Sequence, residues 1–121
     1  MTTVSDFIID RLIAWDLHRF YGYPGDGIGG FDGALEAAER DGRDFRYIRP
    51  THEEIAAFMA CAHAKFTGEV GVCIATSGPG AVHLLNGLYD ARMDHQPVLA
   101  IVGQQARVSL GSDFQQQIDL E

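Results

Sequence analysis

Residues 70–80 read Val-Gly-Val-Cys-Ile-Ala-Thr-Ser-Gly-Pro-Gly, an apolar run that ends in a turn rich in glycine and proline. The continuous apolar stretch Val70–Ala75 is typical of a strand buried on both faces of a parallel sheet. The turn at Ser77–Gly80 leads into a helix that we predict from Ala81 to about Met93. A buried strand followed by a short turn and a helix is the repeating unit of α/β folds.

The same alternation of strands and helices extends in both directions from this stretch. Apolar spacing and turn signals predict, in chain order, a helix from Val4 to about Asp16, a strand at His18–Tyr23, a helix at Ala34–Arg40, a strand at Phe45–Arg49, a helix at Glu53–Phe66 and, after Pro97, a strand at Val98–Val102. We therefore expect an α/β fold whose parallel β-sheet carries helices on both faces.

Three segments follow predicted strands and carry residues suited to binding: Pro24–Gly30, Thr51–Glu54 and Ser77–Gly80. In α/β folds the ligand lies beyond the carboxyl ends of the strands, so we expect these segments to converge. The last of them is compatible with a plain tight turn. It is equally compatible with a close approach to a flat ligand, because Gly78 and Gly80 remove side-chain bulk.

The segment Thr51–Glu54 opens a predicted helix and has two interpretations. Acidic residues are common in the first turn of a helix because they interact favourably with its dipole, which gives Glu53 and Glu54 a structural role. The functional interpretation is that one carboxylate points inward as a proton donor. A zinc-protease motif is excluded, because position 56 is Ala where that motif requires a second His.

The glycine-rich loop has the spacing of a dinucleotide-binding motif at Gly25, Gly27 and Gly30. A lone match of this kind is weak evidence. The motif also needs an acidic residue after the second strand, where this chain has Arg46 and Arg49. Nucleotide binding is therefore not the favoured interpretation of this loop.

Composition narrows the classes of function. The 121 residues are 46% apolar and 21% charged, which is typical of a globular protein, and their formal net charge of −8 argues against a nucleic-acid partner. The N-terminus lacks the pattern of a signal peptide, and no apolar stretch approaches the ~20 residues of a membrane span. Cys61 and Cys73 lie in apolar stretches, as expected of buried thiols in a reducing compartment. We expect a cytoplasmic protein.

The five histidines do not predict a metal site, because no two of them have the i, i+4 spacing that places ligands on one helix face. His83 differs from the others in its position. It lies one turn into the helix after Ser77–Gly80 and can face the same crevice.

The C-terminal segment Phe114–Glu121 is predicted to begin a helix. A sheet that ends at Val98–Val102 leaves an edge without a closing layer. On these grounds we expect the chain to be truncated before the last strand of the fold.

Taken together, these segments resemble the pyrimidine-binding domain of thiamine-diphosphate enzymes, most closely pyruvate oxidases, quinone-dependent pyruvate dehydrogenases and acetolactate synthases. Order and spacing agree along nearly the whole chain. The matching segments are Tyr21–Asp26, His52–Glu54, Ala56–Ala60, Thr67-Gly68, Thr76–Gly80, His83–Asp90, Pro97–Gly103 and Gly111–Asp119.

The resemblance implies thiamine diphosphate as cofactor and assigns roles to individual residues. Glu53 is the catalytic acid, which hydrogen-bonds N1′ of the aminopyrimidine ring and so activates the cofactor. The implied cofactor-binding residues are Pro24, Gly25, Asp26, Glu53, Pro79, His83 and Gln116, with Gln115 as a near alternative to Gln116.

This sequence departs from the family pattern at three positions. Thr51 stands where the family usually has arginine, which puts local ion pairing in doubt. Asp26 stands where synthases often have a second glycine, and His83 where they commonly have asparagine. The last two differences favour the oxidase side of the family.

The resemblance implies that residues 1–121 are an incomplete N-terminal pyrimidine-binding domain, and we expect the family's middle domain and diphosphate-binding domain to be absent from it. In the oxidases of the family the middle domain binds FAD. The diphosphate-binding domain binds Mg²⁺ together with the diphosphate of the cofactor. The family's metal motif consists of Gly-Asp-Gly followed by an asparagine. Gly25-Asp26-Gly27 has the first part of this pattern, but the only asparagine, Asn86, lies too far away, 60 positions beyond Asp26. We therefore predict no metal ligand within this chain.

The resemblance implies one half of an enzyme site that decarboxylates pyruvate or a related 2-keto acid, with this chain alone inactive. The implied assembly is a homodimer or homotetramer, and contact with a quinone or a membrane belongs only to the full-length enzyme. One alternative is a carboligase of the acetolactate synthase type. An alternative of another class is a non-catalytic fragment that serves subunit association.

Overall fold

The computed structural model describes residues 2–120. Its helices and strands, in chain order, are α1 (Val4–Ala14), β1 (Arg19–Gly22), α2 (Gly29–Arg40), β2 (Arg46–Ile48), α3 (Glu53–Thr67), β3 (Gly71–Ala75), α4 (Pro79–His83), α5 (Leu85–Met93) and β4 (Val98–Val102). Short 3₁₀ turns lie at Asp26–Ile28 and Arg107–Ser109.

The four strands form one parallel sheet in the order β2-β1-β3-β4, which confirms the expected α/β architecture. Phe20 of β1 is in register with Val72 of β3. From β1 the chain first adds β2 on one side and then returns to add β3 on the other. This reversal creates a crevice at the carboxyl ends of β1 and β3, the usual ligand position in such sheets.

Helices cover both faces of the sheet, because successive side chains of a strand point to opposite faces. Phe20, Val72 and Ile74 pack in one buried cluster with residues of α1 and α2. Tyr21 and Cys73 pack in a second buried cluster with α3 and Leu84. The first cluster is built from large side chains and the second largely from alanines.

The predicted helix ends are close to the observed ones, with two differences. α2 begins at Gly29 rather than at Ala34, so the last glycines of the loop belong to the helix. The helix expected from Ala81 begins earlier, at Pro79, and its hydrogen-bonding pattern is interrupted at Leu84 to give α4 and α5. Proline is favoured at the first position of a helix because its missing N–H is not needed there.

The prediction of a helix at Phe114–Glu121 was wrong for the described part of that segment, residues 114–120, which forms turns. The reason is local: Asp113 and Gln116 adopt positive φ angles of 53° and 61°, which a right-handed helix does not permit. Residue 121 lies outside the described residues. Among those described, β4 is an edge strand of the sheet, as expected.

The thiols of Cys61 and Cys73 are free and buried. Burial raises the pKa of Cys73 to about 12, so this thiol is a core residue rather than a nucleophile. Within residues 2–120, no helix combines the length and the apolar character that crossing a bilayer requires.

Candidate functional site

The three segments expected to converge do meet, and they meet around Thr76. A Cβ atom placed on Gly25 would lie 2.6 Å from Cβ of Thr76, and one placed on Gly80 would lie 2.6 Å from its Cγ2. The same atom on Gly80 would lie 3.4 Å from Oε1 of Glu53. The loop after β1, the turn after β3 and the start of α3 therefore enclose one crevice.

Glu53 is the first residue of α3 and is only 8% exposed. Its Oε2 atom lies 3.1 Å from Nδ1 of His83 and 3.9 Å from Nε2 of His52. The two imidazole rings face each other, with ring centroids 4.5 Å apart. A nearly buried carboxylate that is reached only by partly exposed rings is suited to sharing a proton with a bound ligand.

Glu54, the next residue, occupies a different environment. Its Oε1 accepts a hydrogen bond of 2.6 Å from Nδ2 of Asn86 in α5. Neighbouring residues of a helix point about 100° apart, so the two carboxylates separate into different surroundings. Glu53 is therefore the one of the pair that borders the crevice.

His52, Glu53 and His83 place one ligand atom each within 4.8 Å of one another, a group that could hold a metal ion. The sequence did not predict this group, because His52 precedes α3 whereas His83 ends α4, 31 positions further along the chain. One hydrogen bond argues against metal binding. Nδ1 of His52 accepts the N–H of Glu54 at 3.2 Å, so Nε2 of a neutral ring carries the proton and faces Glu53 as a donor.

The loop after β1 is fixed by its backbone. The Gly27 N–H donates to Oγ1 of Thr76 at 3.0 Å, and a Cβ on Gly27 would overlap the side chain of Ser77. Pro24 and Asp26 are exposed on this loop. Asp26 lines a cavity of about 360 Å³ that Ile8 also borders.

The turn after β3 is anchored by Ser77, which is fully buried. Its hydroxyl accepts from Nε2 of Gln105 at 3.4 Å and donates to Oε1 of Gln116 at 3.5 Å. Gly78 adopts a φ of 67°, and a Cβ there would lie 2.7 Å from Cβ of Gln116. Gln116 thus packs against the turn that precedes Pro79, the exposed first residue of α4.

Two buried residues near the site, Asp32 and Tyr47, were not predicted from the sequence. The hydroxyl of Tyr47 donates to Oδ1 of Asp32 at 3.1 Å, and the Gly25 N–H donates to Oδ2 at 3.3 Å. Burial raises the pKa of the Asp32 carboxyl above its ordinary value, and it also raises the pKa of Tyr47. The helix around Asp32 has an ordinary composition. The only sequence signal for the pair is that a tyrosine in a predicted strand follows 15 residues after Asp32.

Thiamine diphosphate, the cofactor that the resemblance implies, would need a polar group beside its pyrimidine ring. Gly25 and Gly80 let the loop after β1 and the start of α4 pack closely against Thr76, and Gly80 also lies beside Oε1 of Glu53. Sites for flat organic ligands combine largely apolar walls with a few polar groups that fix the orientation of the ligand. A nearly buried carboxylate supplies that group.

Comparison with known proteins identifies the family of this chain. Residues 2–121 match the family described as thiamine pyrophosphate enzyme, N-terminal TPP binding domain. The chain is 46% identical over 112 residues to the pyruvate oxidase of Lactiplantibacillus plantarum, covering 93% of this chain and 18% of that protein. It is 45% identical over 119 residues to the YdaP protein of Bacillus subtilis, covering 98% of this chain and 20% of that protein.

A third relative is the acetolactate synthase large subunit of Cyanidium caldarium, which is 41% identical over 113 residues, covering 93% of this chain and 19% of that protein. The chain therefore spans about a fifth of the length of the curated relatives it matches. Family membership rests on the match over nearly the whole chain. This chain belongs to the thiamine pyrophosphate enzymes, as their N-terminal TPP-binding domain.

Proposed function

We propose that this chain forms the pyrimidine-side half of an enzyme site that decarboxylates pyruvate or a related 2-keto acid. The observation that carries the proposal is the environment of Glu53, a carboxylate 8% exposed where the glycine-containing segments after β1 and β3 pack together around Thr76. When bound, thiamine diphosphate supplies the electron sink that decarboxylation of a 2-keto acid requires. Glu53 holds the pyrimidine ring and its proton by a hydrogen bond at N1′.

The other site residues have supporting roles. His83, whose Nδ1 lies 3.1 Å from Oε2 of Glu53, orients the carboxylate. Gly25 and Gly80 allow the loop after β1 and the start of α4 to pack against Thr76, and Pro24, Asp26, Pro79 and Gln116 are the further residues proposed to bind the cofactor. Mg²⁺ and the diphosphate are held by parts of the protein outside this chain, as is FAD if the enzyme is an oxidase.

The family offers two candidate reactions for the enzyme to which this chain contributes. The pyruvate oxidase relative supports transfer of electrons after decarboxylation, whereas the synthase relative supports addition to a second keto acid. His83 and Asp26 favour the oxidase reaction, since synthases commonly have asparagine and glycine there. Full-length protein incubated with pyruvate distinguishes the two: acetolactate as product would establish the carboligase, and reduction of an electron acceptor would establish the oxidase type.

We further propose a cytoplasmic homo-oligomer. Two free, buried thiols are consistent with that location. Light scattering of the full-length protein measures the oligomeric state directly. A monomer that binds thiamine diphosphate would contradict the oligomer, because the family completes its site between two subunits.

The decisive experiment substitutes the two adjacent carboxylates separately in the full-length protein. Glu53→Gln preserves size but removes the acid, so exchange of the cofactor's C2 proton should fall by roughly 10²–10⁴-fold. Glu54→Gln is the matched control, because that side chain is bonded to Asn86 outside the crevice. Equal losses, or a larger loss for Glu54→Gln, would overturn the assignment. Tight cofactor binding without exchange in the unaltered protein would instead support a non-catalytic role.

A further inference from the structure

The loop Pro24–Gly27 is held from two sides before any cofactor is present. On one side, the Gly27 N–H donates to Oγ1 of Thr76 in the turn after β3. On the other, the Gly25 N–H donates to Oδ2 of Asp32 on α2. The second contact is notable because Asp32 is one of only a few buried polar residues among those described, at 8% exposure.

Asp32 is held in turn by the sheet. Tyr47 of β2, itself 8% exposed, donates its hydroxyl proton to Oδ1 of Asp32 at 3.1 Å. This position of the ring depends on Gly22, the last residue of β1, where a Cβ would lie 2.8 Å from the hydroxyl oxygen. The carboxylate therefore connects the loop to β2 with one oxygen for each neighbour.

The outer side of Tyr47 is covered by Arg49, whose guanidinium lies 5.0 Å from the ring centroid. Arg49 also forms an ion pair of 2.9 Å with Glu36, one turn after Asp32 on α2. Both of these groups are exposed, so their contribution to the arrangement is small. The buried hydrogen bonds of Asp32 therefore contribute more to this arrangement than the exposed Arg49–Glu36 pair does.

From this arrangement we infer that Asp32 is a positioning residue, which sets the place of the Pro24–Gly27 loop for the cofactor without touching the cofactor. The expected effect on cofactor binding rests on the proposed function, whereas the hydrogen bonds around Asp32 do not depend on it. A buried acceptor fixed by Tyr47 holds the Gly25 N–H at one place. The loop is thus ordered in advance, which reduces the entropy lost when a ligand binds.

The geometric part can be tested in full-length protein without cofactor, by hydrogen exchange of peptides that cover residues 22–28. Asp32→Ala removes both bonds, and we expect exchange in this segment to become about tenfold faster or more. Exchange in β3 should stay unchanged. Asp10→Ala is the matched control, because it also removes an aspartate, one whose partner is the exposed Arg43. Unchanged exchange at residues 22–28 in Asp32→Ala would overturn the inference.

The functional part is a comparison of cofactor affinity with turnover. For thiamine diphosphate and Mg²⁺, we expect Asp32→Ala to raise Kd about ten- to hundredfold, while kcat at saturating cofactor stays close to that of the unaltered protein. Asp32→Asn keeps one acceptor oxygen and should restore part of the affinity. Tyr47→Phe, the mildest change, should raise Kd by about fivefold or less.

The possible failures are distinguishable. If the unaltered full-length protein does not bind thiamine diphosphate, the proposed function fails, and the exchange experiment still decides the role of Asp32. If the protein binds the cofactor and Asp32→Ala binds it equally well, the positioning role fails alone. Should Asp32→Ala not fold, Tyr47→Phe carries the same test, and faster exchange at residues 22–28 is required of it.

Discussion

The two faces of the sheet are packed in different ways, and each carries one buried carboxylate at its carboxyl edge. The face under α1 and α2 is filled by large side chains such as Phe20 and Leu35, both fully buried. The face under α3 is filled by small ones, among them Ala57 and Ala60, so this helix lies close to the strands. Asp32 belongs to the first face and Glu53 to the second.

The two carboxylates are equally buried, at 8% exposure each, but they differ in their partners. Both oxygens of Asp32 accept hydrogen bonds, one from the Tyr47 hydroxyl and one from the Gly25 backbone. The partners of Glu53 are the rings of His83 and His52, each more than 40% exposed. A ligand can displace such exposed side chains, whereas the partners of Asp32 are a buried tyrosine and a backbone N–H.

The largest expected effect concerns the face built from large side chains. Phe20→Ala should lower the free energy of unfolding by about 3–5 kcal/mol, because it leaves a cavity among residues that cannot collapse to fill it. Chemical denaturation with tryptophan fluorescence from Trp15 measures the change. A loss below about 1 kcal/mol would show that this face is loosely packed and would remove the contrast between the two faces.

The second prediction concerns the face built from small side chains, where added volume should be harmful. A Cβ on Gly71 would overlap the backbone carbonyl of Ala60, which cannot rotate away. Gly71→Ala should therefore cost about 1–3 kcal/mol of stability, and it should also disturb α3, which begins at Glu53. Thermal unfolding and cofactor affinity are the two measurements.

Gly33 in α2 supplies the control for this substitution, since a Cβ there meets no atom within 4 Å. Gly33→Ala should stabilise the protein by about 0.5–1 kcal/mol, because alanine favours a helix over glycine. Equal effects at Gly33 and Gly71 would mean that the close approach of α3 to the sheet is not what limits this face.

These contrasts also show what the sequence could and could not predict. The apolar run of β3 and the glycines after it predict a buried strand with a turn, because burial on both faces requires a continuous apolar segment. The inward orientation of Glu53 was an open alternative, since an acidic first turn has the same sequence whichever way it points. In the structure the Glu53 side chain is 8% exposed and therefore points inward, while its role as a proton donor stays a prediction.

Contacts between segments that are distant in the sequence could not be predicted from it. His52, which precedes α3, stacks on His83, which ends α4, and Asp32 is buried only because Tyr47 comes from a strand on the other side of a turn. The C-terminal helix was wrongly predicted because Asp113 and Gln116 take positive φ angles, which neither residue type signals strongly. Local sequence patterns predict helices and strands, whereas the contacts of a side chain depend on how those helices and strands pack against one another.

The smallest effect is the pH dependence of stability that Asp32 contributes. Burial raises the pKa of Asp32 in the folded state above its value in the unfolded chain, against the lowering effect of its bonds to Gly25 and Tyr47 and of the Arg49 charge, and with a small raising contribution from Glu36. Between the unfolded and folded values, the folded state binds more protons than the unfolded one. The free energy of unfolding must therefore fall as pH rises through that window.

Asp32→Asn removes this dependence, because the amide does not titrate. Starting below pH 4 and rising, the stability of the unaltered protein relative to Asp32→Asn should decline and then level off once the folded carboxyl is ionised. Denaturant titrations of both proteins at several pH values between 3 and 7 give the difference. A relative stability that instead increases with pH would mean that the bonds to Gly25 and Tyr47 outweigh burial, so that Asp32 is held as a stabilised anion and the pH contrast would have the opposite sign.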